Sequence, residues 1–140
     1  MIYHWFLAGI LVAPLACGSQ QEIPAGADVQ DSLPTELSLK AGEERAVAGV
    51  KVGFREVRGD SRCPADVQCI WAGDATAVVM VSPGAGAGPS IEFLLHTNDE
   101  PRWGDALGIR VTLMSLDPAP RFTKPTRPED YVVKLEIRRP

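Results

Sequence analysis

Chemistry in a chain this small has to come from few residues. Five residues separate Cys63 from Cys69, His96 is one of two histidines, and Ser61 lies between Asp60 and Arg62. A thiol pair can form a disulfide, pass electrons or ligate a metal. Zinc wants four ligands, and besides carboxylates only His96 is left to contribute one. Dithiol redox centres usually hold two residues between their cysteines, not five. Copper carriage would need clustered Met and His, whereas Met80, His96 and Met114 fall in three separate apolar segments. Asp60, Asp66 and Asp74 surround the cysteine pair, and Glu100 and Asp105 flank Trp103. Such oxygens suit a hard cation, but turns use Asp for local hydrogen bonds far more often. Ser61 as a nucleophile would need a general base, for which His96 is the sole candidate. Arg58-Gly59-Asp60 spells an adhesion tripeptide that is too short to carry weight. No constellation amounts to an active site, so catalysis, a cofactor and a bound metal are not expected.

The same stretch offers a contact surface instead. Pro64 restricts the backbone between the cysteines, and Trp71 lies just beyond them. It is placed to cap the core with its indole N–H satisfied locally, or, if exposed, to anchor a partner from a constrained loop. With Arg62 and Trp103 these residues form the candidate binding surface: Arg62, Pro64, Trp71 and Trp103. The segment resembles one shared by a group of small bacterial lipoproteins and secreted domains, D-S-R-C-P-x-x-V-x-C-x-W-x-G followed by an apolar strand. Asp60, Ser61, Arg62, Cys63, Pro64, Val67, Cys69, Trp71 and Gly73 match it. The resemblance is specific but short; it implies a β fold and an exported address, and no activity.

The N-terminus points to the same address. Met1 to Ala16 holds no Asp, Glu, Lys or Arg. Phe6 to Leu15 has the length of a signal-peptide apolar region, too short to cross a bilayer comfortably. It ends in Pro14-Leu15-Ala16-Cys17-Gly18-Ser19, which resembles the lipobox of bacterial lipoproteins, although Pro14 stands where that family usually has Leu. The resemblance implies cleavage after residue 16 and a diacylglycerol on the Cys17 thiol. Gly18 in place of Asp then points to the outer membrane of a Gram-negative host; plain secretion is the alternative. With Cys17 lipidated, the odd count of three cysteines leaves Cys63 and Cys69 as a disulfide pair. Closing that ring is worth roughly 2 kcal/mol on the chain-entropy model. Residues 17–34 are polar and interrupted by proline, a flexible tether, and 35–140 form a single domain.

The elements that must carry these residues read as strands. Leu37 and Leu39, then Val50, Val52 and Phe54, alternate with polar neighbours, the period of a half-buried strand. Ala75 to Val81 is nearly all apolar, as in a central strand covered on both faces. Pro83 to Pro89 is a loop that closes a hairpin into Ile91 to His96. Ile109, Val111 and Leu113 alternate again, as do Tyr131, Val133, Leu135 and Ile137. No amphipathic helix is evident. The fold expected is all-β: a small sandwich or open barrel of about six to seven strands with one disulfide-closed loop. Thr97 to Gly108 and Pro118 to Asp130 read as two long connections, the second holding four of the twelve prolines. The formal charge of -4 without a basic cluster argues against nucleic acid. The functional expectation is a monomeric, lipid-anchored envelope module that binds an envelope protein or polymer. The alternatives are a secreted peptidase inhibitor resembling chagasin, whose small β sandwich acts through loops at one end, or a metal-binding envelope protein.

Overall fold

The computed structural model describes residues 32–85 and 88–140. The expected signal peptide, the lipidation site Cys17 and most of the tether lie outside the described residues. Eight strands follow in chain order: β1 (Thr35–Lys40), β2 (Glu44–Val47), β3 (Val50–Asp60), β4 (Ala75–Pro83), β5 (Ile91–His96), β6 (Trp103–Ala106), β7 (Ile109–Asp117) and β8 (Val132–Arg138). They form two four-stranded antiparallel sheets, β1-β8-β7-β6 and β2-β3-β4-β5. The all-β sandwich is the class the alternation predicted. Among the described residues no helix is long and apolar enough to cross a membrane.

The inward faces are the alternating residues. Leu37, Leu39, Val111, Leu113, Val133, Leu135 and Ile137 from one sheet meet Val52, Phe54, Ala77, Val79, Val81 and Leu95 from the other in a continuous core. Full burial of each Val, Leu or Phe contributes roughly 1.5–3 kcal/mol. Val78, on the opposite face of β4, is buried as well. On that face Arg55 and Arg58 of β3 reach across β4 to Glu92 of β5.

Eight strands stand where six to seven were expected, because β2 and β6 are short. Each spans four residues and turns at once into the next strand. Ala48-Gly49 and Leu107-Gly108 both adopt positive φ (47° and 80°; 51° and 80°), the backbone of a two-residue type I′ hairpin. Thr97 to Gly108 is therefore not one long connection; it contains β6.

Bulges explain where the period slips. Arg55 and Arg58 are extra residues on β3 relative to β4, so Phe54, Val57 and Asp60 lie opposite Val79, Ala77 and Ala75. Met114 is the extra residue of β7, which turns Leu116 inward behind Leu113. By register, β3, β5 and β7 end at the same end of the sandwich at which β4, β6 and β8 begin. The connections 61–74, 97–102 and 118–131 are therefore grouped there. Thr35 of β1 pairs with Ile137, at the other end.

Candidate functional site

The 61–74 connection is a hairpin extended beyond the sheet. Ser61 N–H donates to the Asp74 carbonyl at 2.7 Å and Cys63 N–H to the Ala72 carbonyl at 2.7 Å. Ser61 Oγ also donates to the Asp74 carbonyl, at 2.9 Å. Gly73 sits at φ +68°, and a Cβ there would run into the carbonyl of Ser61. The glycine lets the two chains of the stem close. Cys63 and Cys69 are joined in a disulfide, with Cα atoms 5.9 Å apart.

Arg62 anchors this hairpin from beneath. Its side chain is 13% exposed and that of Asp60 is 9% exposed. Nε and Nη2 donate to the two Asp60 oxygens at 2.8 and 2.6 Å, Nη1 to the Leu116 carbonyl and Nη2 to the Pro118 carbonyl at 2.9 Å. Tyr131 Oη donates to Asp60 at 3.0 Å. Burial pushes the Asp60 carboxyl up, but Arg62 and the Tyr131 hydroxyl outweigh it and hold its pKa below the usual range. Arg62 thus turns into the sandwich rather than toward a partner.

Asp66 makes a second tie. It accepts from Phe122 N–H at 2.7 Å, Thr123 N–H at 3.2 Å and Thr123 Oγ1 at 2.8 Å, and Ala65 N–H donates to the Pro120 carbonyl at 2.8 Å. The Phe122 and Thr123 bonds hold the Asp66 pKa down at about 2. The disulfide loop and the proline-rich connection therefore form one surface. Ile70 is 92% exposed, Trp71 82% and Phe122 77%. Trp71 does not cap the core, as one reading of the sequence had it; it projects into solvent. Phe122 was missed because a lone Phe among prolines has no periodicity to mark it. Pro64 is half-buried at the base of the loop.

Trp103 opens the edge strand β6 and belongs to neither of the two loops that Asp66 ties together. It is 45% exposed, with the Arg110 guanidinium 3.9 Å above its ring and Arg110 paired with Asp105. The stack and the ion pair hold it flat against the sheet.

The remaining polar cluster holds the 97–99 turn. Asp74 accepts from His96 Nδ1 at 2.6 Å, Thr97 Oγ1 at 3.1 Å, Asn98 N–H at 2.9 Å and Asp99 N–H at 3.3 Å. Burial raises its pKa, but these donors together hold it well below the carboxylate range. Asp74, His96 and Asp99 offer ligand atoms within 4.8 Å of one another. Four donors already occupy the Asp74 oxygens, so the cluster is organised as a turn anchor. Ser61 faces the Asp74 backbone instead of His96, and Met80 and Met114 lie in different sheets.

No family model, curated protein or solved structure matches the chain.

Proposed function

We propose that this chain is an exported, lipid-anchored domain that contacts a component of the cell envelope through the loop end of its sandwich. Ile70, Trp71 and Phe122 are its apolar anchors. The observation that carries this reading is Trp71, 82% exposed on a hairpin that is locked three ways, by the disulfide, by Arg62 and by Asp66. A hairpin backbone held rigid beneath the indole has already lost the freedom that binding would otherwise remove. The lipobox-like segment ending at Cys17 supports the anchor, and the disulfide fits an oxidising compartment. β1 begins at the end opposite the tip, so a tether leading to β1 leaves the tip unobstructed.

Two measurements test this. The intact mass of the native protein, after alkylation without reduction, should show a chain beginning at Cys17, heavier by its acyl groups and unalkylated. A lipid-free mature chain refutes the anchor. A photo-crosslinking residue in place of Ile70 should capture an envelope component in intact cells, with capture lost in Trp71→Ala. Unchanged capture in that variant refutes the site. The grouping of three connections at one end also favours the chagasin-like reading. Inhibition of a peptidase panel that disappears in Trp71→Ala would select it.

A further inference from the structure

We propose that the envelope component met by the tip is a phospholipid surface, into whose headgroup region Ile70, Trp71 and Phe122 insert. This deepens the functional reading and rests on it. Each of the three side chains is more than three-quarters exposed, on two loops that Asp66 ties together. A protein hot spot gains its affinity in well-packed, desolvated pockets; apolar side chains this exposed gain most by entering a fluid interface. Trp is the side chain best suited to that depth, with an apolar body and a polar N–H.

The neighbouring charges fit the same surface. The Arg121–Lys124 turn, closed by Lys124 N–H donating to the Arg121 carbonyl at 3.3 Å, places Phe122 at its corner between two cations. Neither Arg121 nor Lys124 forms an ion pair among the described residues. Long basic side chains beside an inserted aromatic reach lipid phosphates while their stems stay in the apolar layer. An acidic peptide is the poorer fit. Asp66, Glu129 and Asp130 lie on the same two loops as Arg121, Lys124 and Arg127, so the end carries little net positive charge to steer one. The insertion needs only the local pair.

Quenching of Trp71 by brominated phosphatidylglycerol vesicles tests the inference. The Trp71 signal is isolated as the difference between the full chain and its Trp71→Phe variant, so a leader or lipid that also binds the vesicle does not contribute. The expected result is a blue-shifted, quenched Trp71, while Trp103, isolated in the same way through Trp103→Phe, stays unquenched. Ile70→Ser with Phe122→Ser should raise the lipid concentration needed at least tenfold. Arg121→Gln with Lys124→Gln should raise it about threefold to tenfold on anionic vesicles and little on zwitterionic ones. Arg45→Gln with Lys134→Gln, the same charge change elsewhere, should leave it unaltered. Trp71 unquenched on a vesicle-bound chain overturns the inference. If the Ile70 crosslinker then captures a protein, the functional reading stands without it; if it captures nothing, both fall.

Discussion

Replacing Arg62 by Met should unfold the loop end at a cost that the contacts of this one side chain set. The substitution keeps an unbranched stem of similar volume, so packing changes little and the polar loss dominates. Four hydrogen bonds disappear: two to Asp60 and one each to the Leu116 and Pro118 carbonyls. Removing one partner of a fully buried ion pair typically costs ~3–5 kcal/mol, because the other charge is left without compensation, and this pair is partly buried. Asp60 would still hold the Tyr131 hydroxyl and the residue-62 N–H, at 3.0 and 3.1 Å. That places the expected loss near the lower bound, about 3 kcal/mol. In a domain of this size the melting temperature should fall by on the order of 10–20 °C.

Urea unfolding followed by far-UV circular dichroism gives the free energy, and hydrogen exchange gives its location. Exchange should accelerate first around Leu116 to Asp130, where the two lost carbonyl contacts were. Asp60→Asn supplies a double-mutant cycle. The double variant buries neither charge, so its loss should fall short of the sum of the singles by about 2 kcal/mol. A loss below about 1 kcal/mol for Arg62→Met, or strict additivity in the cycle, would refute the assignment of Arg62 as an internal strut.

Three further outcomes follow from the geometry. Leu107→Asn and Ala48→Asn, each at a positive-φ turn position, should each stabilise the fold by roughly 0.5–1 kcal/mol, read from urea midpoints at unchanged slope. Gly73→Ala should cost at least about 2 kcal/mol, since a Cβ there meets the Ser61 carbonyl from a left-handed backbone; thermal melts check this. Asp60, Asp66 and Asp74 are held below their ordinary pKa. Their contribution is complete above the unfolded value of about 4 and is lost as pH falls toward 2 and below. Urea midpoints should therefore fall from about pH 4 downward, with a shallower slope in Asp74→Asn.

Alternation made four strands legible, because a strand with one face on the core repeats every two residues; β4 was read from its nearly continuous apolar run and β5 from the loop that precedes it. β2 and β6 were not legible for two physical reasons. Glu44-Arg45-Ala46-Val47 buries only Val47, too little for a period to emerge. The turns that end both strands use Ala48 and Leu107 where Asn or Asp usually marks a type I′ hairpin. The bulges were half legible: Val57 breaks the even-numbered run of Val50, Val52 and Phe54, and Leu116 breaks the odd-numbered run ending at Leu113. The disulfide rested on cysteine parity, which needs no geometry. The ties of the site were out of reach. Arg62 reads as a surface cation until β7 is known to deliver the Leu116 carbonyl to it across 54 residues. Asp66 reads as an ordinary turn residue until Phe122 and Thr123 arrive from 56 and 57 residues away.

The loop segment divides into residues that hold and residues that are held. Asp60 and Arg62 lock it to the sandwich, Ser61 and Gly73 close its stem, Cys63 and Cys69 fix its turn, and Asp66 fastens it to the next loop. All of this ends at a Trp that touches little of the protein. If the segment served only to stabilise the fold, the cheapest place for that indole would be against the core, where full burial of a large apolar side chain returns roughly 1.5–3 kcal/mol. The hairpin instead carries it outward into solvent. A structural role accounts for Arg62 and the disulfide but leaves Trp71 unexplained, whereas a contact role explains both the indole and the rigidity beneath it.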